Sequence, residues 1–249
     1  MDIALGNPKK NREKAIGFIE EACRRGSNFV VLPELWTTGY SLKNIRELAE
    51  PLNGETMNML LKICSKRKTY VIGSIAELRS EKIFNTATIV GPEGLVGSYS
   101  KAHLFRLIDE HVHFTPGGSC HVFQTIFGKV GMIICYDLRF PELARKLALD
   151  GARILFVPAE WPSPRGVHWR LLLKARAIEN QMFVVASNCV GFDGKNTYFG
   201  HSVVLDPLGE AVVEGGDAEM ILTCEIDMNL IDKTRSFIPC FEDRRPDLY

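Results

Sequence analysis

Apolar positions recur along this chain at two periods, and the two alternate. Within residues 11–25, Ala15, Ile16, Phe18, Ile19 and Ala22 fall at helical spacing, and Gly26 ends the pattern where a C-terminal glycine belongs. Residues 29–32 form a continuous apolar run of strand length. The same unit repeats: residues 56–66 predict a helix with Met57, Leu60, Leu61, Ile63 and Cys64 on one side, and residues 69–75 a strand. Residues 87–90 and 95–99 flank GPEG, a glycine and proline turn that predicts a hairpin.

Residues 130–135 are again continuously apolar, followed by DLRFPELARKLALDGA, a helix with Pro141 in its first turn and Gly151 at its end. Residues 154–158 read as strand, HWRLLLKARAIENQ as helix and residues 183–187 as strand. HSVVLDPLGEAVVEGG predicts a second hairpin, and MILTCEID a last strand before a short helix. Because hairpins interrupt the strand–helix alternation, the expected architecture is α/β with mixed sheets and helices on their outer faces.

The 249 residues are 46% hydrophobic and contain no linker-like tract, so they predict one domain over 1–249 with a substantial core. Thirty basic and thirty acidic residues, scattered rather than clustered, leave no electrostatic footprint for nucleic acid or an anionic membrane. The longest apolar runs are of strand length, far below the ~20 residues that span a bilayer. Seven cysteines, an odd number without a CxxC pair, together with an opening unlike a signal peptide, predict reduced thiols in the cytoplasm. The expected partner is a small molecule.

Three reactive side chains share one kind of position. Glu34, Lys101 and Cys135 each end or follow an apolar strand, in FVVLPE, GLVGSYSK and VGMIICYD. Ligand sites in α/β sheets form at the carboxyl ends of strands, so these three predict one pocket. A thiol with a base to remove its proton is a nucleophile for acyl transfer, and a helix beginning directly after it would lower its pKa. Glu34 would be that base, while Lys101 and the Tyr136 backbone N–H would stabilise an oxyanion. Taken singly, Cys135 reads equally as a small core residue, Lys101 as a solvated edge charge and Glu34 as a cap or ion-pair partner.

LPELWTTGY, YSKAHLF and CYDLRFPE together resemble, in order, the three signature stretches of the nitrilase superfamily of carbon–nitrogen hydrolases, and the likeness continues to IPCFEDRRPDLY. The resemblance implies a Glu34–Lys101–Cys135 triad, a four-layer αββα sandwich of two mixed sheets flanked by helices, and a homodimer or higher homo-oligomer. It also implies that Glu110, in LIDEHVHFTPG, orients substrate and lysine; by itself Glu110 reads as a loop charge. Within the family, AEWPSPRGVHW, KARAIENQ, GHSVVLDPLGE and the final DLY are similar to the omega-amidase branch. Those enzymes remove the terminal amide of 2-oxoglutaramate or 2-oxosuccinamate as ammonia, with no cofactor and no metal.

An anionic substrate of that kind calls for a forked cation, for which Arg165 and Arg176 are the candidates; Arg176 reads equally as a structural partner of Glu179 or Asp137. Tyr40, Phe105, Tyr136 and Trp161 are candidate aromatic walls. At the N-terminus Met1 to Leu5 supplies only the end of the strand that opens this family, so either the chain starts upstream or one sheet lacks part of a strand. Competing readings are a carbamoyl-amine hydrolase, an amidase for larger amides, a nitrile hydrolase, a metal hydrolase using HVH at 111–113 with Glu110 or Asp109, and a catalytically silent binding protein.

Overall fold

The computed structural model describes residues 1–248. Its first sheet has the order β1 (Phe29–Val31), β2 (Tyr70–Arg79), β3 (Lys82–Gly91) and β4 (Gly94–Ser100), with β1 parallel to β2 and the rest antiparallel. The second sheet uses β5 (Phe123–Thr125), β6 (Gly128–Met132), β7 (Ile154–Ala159) and β8 (Phe183–Asn188). A two-stranded ribbon of β9 (Val190–Phe192) and β10 (Thr197–Phe199) follows, and β11 (Val203–Leu205) and β12 (Ala211–Glu214) complete the second sheet. Strands β6, β7 and β8 are parallel at its centre, with β5, β11 and β12 antiparallel outside them. Both sheets are therefore mixed, as the sequence predicts.

Seven helices accompany them among the described residues: α1 (Pro8–Arg24), α2 (Ile45–Leu48), α3 (Glu55–Arg67), α4 (Glu110–His113), α5 (Pro141–Leu149), α6 (Gly166–Asn180) and α7 (Asn229–Phe237). The pleat of the first sheet builds the layering. Val71, Ile75 and Val90 pack with Ile19 of α1 and Met57 and Leu60 of α3. Their neighbours Ile72, Ala87 and Ile89 turn the other way, against Met132 and Phe156 of the second sheet. That sheet is covered on its far side by Leu147 of α5 and Trp169 and Leu173 of α6. The result is an αββα sandwich held by alternation along β2 and β3.

Helix ends follow their sequence signals. Asn7 caps α1 by accepting from the Lys10 N–H, and Gly26 takes φ +84° beyond its end. Pro141 stands at the first position of α5. Both expected hairpins form, between β3 and β4 and between β11 and β12. The β2–β3 hairpin was not anticipated, because its turn residues Ser80 and Glu81 adopt positive φ without the Asn-Gly or Asp-Gly that announces such a turn. The β9–β10 ribbon was missed as well.

One strand expectation is corrected: residues 220–227, MILTCEID, run without a sheet ladder. A groove of about 720 Å³ lies between this segment and β1, lined by Phe29, Val31, Phe156, Val185, Leu222 and Ile226. Among the described residues no strand lies beside the segment to take its backbone groups, and β1 is left as a sheet edge. The first residues instead reach the ribbon, where Val190 N donates to Met1 O at 3.2 Å and Asp2 bridges to Val190. Tyr249, the end of the DLY stretch, lies outside the described residues.

Candidate active site

The carboxyl ends of β1, β4 and β6 converge, and each delivers one charged or nucleophilic side chain. Beyond β1 the chain turns sharply, with Leu35 at φ +39°. Leu35 N donates to Ser74 Oγ at 2.8 Å and Trp36 N to Ser74 O at 3.1 Å, which pins the turn to β2 and fixes Glu34 inside the protein. Lys101 follows β4, its N–H donating to Asn85 O at 2.8 Å. Glu110 opens α4, and Phe105 N donates to its Oε2 at 2.6 Å.

Lys101 Nζ donates to Glu34 Oε1 at 2.8 Å, to Glu110 Oε2 at 2.9 Å and to the Tyr40 hydroxyl oxygen at 2.9 Å. The ammonium thus faces two carboxylates and a phenol, with Lys101, Glu34 and Glu110 themselves out of water. Tyr40 has one hydroxyl proton to donate, and its oxygen lies 2.5 Å from Glu34 Oε1 and 3.0 Å from Glu110 Oε1. Asn85 Nδ2 reaches the same two oxygens at 2.8 and 3.2 Å, and Glu160 N donates to Glu34 Oε2 at 2.9 Å. A buried ion pair survives only when its remaining lone pairs are bonded in this way.

The electrostatics follow from these contacts. Burial would raise the Glu34 pKa, but the Lys101 charge and the hydrogen bonds from Lys101, Tyr40 and Glu160 outweigh it and hold Glu34 below the usual carboxylate value. Burial would likewise deprotonate Lys101, yet Glu110 and Glu34 carry its pKa well above that of an ordinary lysine. Cys135 goes the other way. Burial first, then the Glu34 charge, push the thiol well above its ordinary value, with Lys101 opposing.

This overturns the expectation that a helix lowers the resting thiol's pKa. Cys135–Arg139 is a single 3-10 turn, and α5 begins only at Pro141, so burial and Glu34 win. Cys135 sits at φ +42°, a left-handed conformation that a side chain other than glycine seldom adopts. Asp137 holds the turn: its Oδ2 accepts from Ile134 N at 3.0 Å and from the Tyr99 hydroxyl at 2.8 Å, and its Oδ1 from His103 N at 2.9 Å.

A cavity of about 200 Å³ opens above Cys135 and Lys101. Tyr40, Phe105, Tyr136 and Trp161 line it, and Arg165 stands at its side with its guanidinium 5.3 Å from the Phe105 ring centre. Arg176 is corrected: its guanidinium donates to Leu138 O at 2.8 and 3.2 Å and to Glu179 Oε1 at 2.9 Å, and it does not line the cavity. Two cations absent from the sequence reading, Arg139 and Lys195, do. Arg139 lies one residue beyond Leu138 on the same turn as Cys135; Lys195 comes from the β9–β10 turn, whose existence the pattern did not show. HVH at 111–113 is helical rather than extended, so its two histidines diverge, and Glu110 is committed to Lys101.

A base, an ammonium and a thiol at one cavity form a set able to cleave an acyl–nitrogen bond. The carbon–nitrogen hydrolase family matches residues 1–236. The chain belongs to that family. It is 44% identical over 250 residues to a 2-oxoglutaramate amidase of Bacillus subtilis, covering all of this chain and 96% of that protein. It is 36% identical over 251 residues to the omega-amidase NIT2 of Homo sapiens, covering 96% of this chain and 91% of the relative. A crystal structure of a CN-hydrolase superfamily protein from Xanthomonas campestris superposes with a TM-score of 0.92 at 31% identity, over 98% of this chain and 94% of the other. The protein is a hydrolase of carbon–nitrogen bonds other than peptide bonds, with the αββα fold of its family.

Proposed function

We propose that the protein is a thiol amidase that hydrolyses the terminal amide of a small dicarboxylic acid monoamide, 2-oxoglutaramate or 2-oxosuccinamate. The observation that carries this reading is the Glu34–Lys101–Glu110 cluster at 2.8 and 2.9 Å beside Cys135 in a cavity of about 200 Å³ with Arg139, Arg165 and Lys195 around it. The amide enters with its carbonyl oxygen toward Lys101 Nζ and the Tyr136 N–H, and its carboxylate toward the cations. The two relatives' names, an amidase of 2-oxoglutaramate and an omega-amidase, support the same substrate class.

In the first half-reaction Glu34 takes the thiol proton while sulfur attacks the amide carbon. The tetrahedral oxyanion collapses as Glu34 passes that proton to the departing nitrogen, leaving a Cys135 thioester and ammonia. Water then enters; Glu34 removes its proton, hydroxide adds to the thioester carbon, and the returning proton restores the thiol as the acid leaves. Glu110 positions Lys101 throughout. The raised thiol pKa fits this sequence, because the thiolate forms only as substrate reaches the base.

A carbamoyl amine would carry its amine toward three cations, so its turnover should be slower. The test is ammonia release from 2-oxoglutaramate and 2-oxosuccinamate beside a carbamoyl amine and a nitrile. Faster release from the keto-acid amides supports the assignment, and preference for either other class overturns it.

The same reading extends to the setting. All seven cysteines are free, which suits a reducing cytoplasm, and one catalytic domain spans 1–249. Val167, Leu171 and Ile178 project outward from one side of α6, 67, 62 and 51% exposed, and a homodimer formed through this helix would cover them.

A further inference from the structure

Glu160 directly follows β7 and lines the cavity, yet it has no part in the mechanism above. Only 6% of it is accessible, and among the described residues its carboxyl takes part in no hydrogen bond or ion pair. Asp193, in the same wall, shows the contrast: its oxygens accept from Lys195 N, Asn196 N, Asn196 Nδ2 and the Tyr198 hydroxyl. A buried polar group is normally partnered, so an unpartnered carboxyl facing a substrate cavity points to a ligand.

The charges around it decide its form. Glu34, Asp193 and Glu110 are carboxylates facing it, Tyr198 and Cys189 are neutral neighbours, and Lys101 is the opposing cation, already shared by two carboxylates. Arg139, Arg165 and Lys195 line the same cavity without an ion pair to Glu160. Burial, then Glu34 and Asp193, raise its pKa well above the usual carboxylate value. Burial and these charges favour its protonated form, whose O–H lacks a protein acceptor among the described residues.

We propose that Glu160 is a specificity-determining residue whose carboxyl donates a hydrogen bond to the 2-oxo oxygen of the substrate. This rests on the keto-acid amide reading above. There the amide oxygen is taken by Lys101 and Tyr136 N–H and the carboxylate by the cations, so the 2-oxo oxygen is the acceptor left over. A site built to meet an oxygen discriminates against the analogue that lacks it, since the donor is then stranded.

The test compares 2-oxoglutaramate with glutaramate, the same chain with a methylene in place of the 2-oxo carbonyl, in wild type, Glu160→Leu and Glu160→Gln. Glu160→Leu should lower kcat/KM on 2-oxoglutaramate by about 10- to 100-fold and on glutaramate by less than about 3-fold. Glu160→Gln keeps a donor and should retain the preference while losing the fall in kcat/KM that ionisation of Glu160 imposes on the wild type at alkaline pH. Equal losses on both amides in Glu160→Leu, or an alkaline limb unchanged in Glu160→Gln, would overturn the role of Glu160 and leave the amidase reading standing. A wild type inactive on both amides would bring down both.

Discussion

Lys101 is the residue on which the charge balance of the site turns. Its ammonium is the only cation in contact with Glu34 and Glu110 among the described residues, and all three side chains are fully buried. Lys101→Met should cost about 3–5 kcal/mol of stability, because it leaves two carboxylates buried without a counter-ion; a thermal or urea melt reads this directly. The same pairing sets the acid limit. Glu34 titrates below its ordinary value, so the stability and activity it supplies are complete above about pH 4.3 and are lost as pH falls through the lowered value. A kcat/KM profile should therefore stay level to below about pH 4.3, and an acid limb near neutrality would contradict Glu34 as the ionised base.

Glu34, Lys101 and Cys135 share one kind of address in the sequence, at the end of an apolar run, but singly each reads equally as a structural residue, and the family resemblance is what joined them. Tyr40, Asn85 and Glu160 could not be read in the same way. Tyr40 reads as an aromatic wall, and only the fold shows its hydroxyl within 3.0 Å of Glu34, Glu110 and Lys101. Asn85 did leave a signal, a polar amide within the apolar β3, but its partners are 51 and 25 residues away in the chain.

At the scale of elements, the turn after β6 carries Cys135 in a strained conformation, and Asp137 is its clamp. The carboxylate ties Ile134 to Tyr99 and His103, joining two distant parts of the chain. Asp137→Ala should release Cys135 from its positive φ, lowering kcat by about 10²-fold or more, since a 1 Å misplacement of a reacting group costs that much. Ammonia-release kinetics on a variant shown to be folded by circular dichroism would check it; an unchanged kcat would mean that the strain at Cys135 is irrelevant to turnover. Elements with their own periodicity were legible: α1, α3, α5 and α6, and the two hairpins with glycine turns. Residues 220–227 alternate as a strand should but have no neighbour to pair with, and pairing is a property of the partner rather than of the segment. The β2–β3 hairpin escaped for the opposite reason, a ladder with good partners joined by the turn Ser80–Glu81, which carries no turn signature.

Across the whole molecule, the outward face of α6 makes association the expected state. A homodimer would elute near twice the 27.9 kDa chain mass, and Leu171→Glu with Ile178→Glu should convert it to monomer by placing charges where apolar side chains meet. Multi-angle scattering after size exclusion reads the mass, and a wild-type monomer would contradict this interface. Overall balance of charge and the absence of basic clusters, visible in the sequence, agree with a cavity whose few cations are gathered at one small-molecule site.

The most direct measurement is ammonia release from 2-oxoglutaramate by the wild type and by Cys135→Ala, both shown to be folded. The wild type should show measurable turnover and the variant a loss of about 10⁴-fold or more, as expected when a covalent nucleophile is removed. Turnover by Cys135→Ala within about 10-fold of wild type would show that no thioester on Cys135 lies on the path, and would contradict the mechanism.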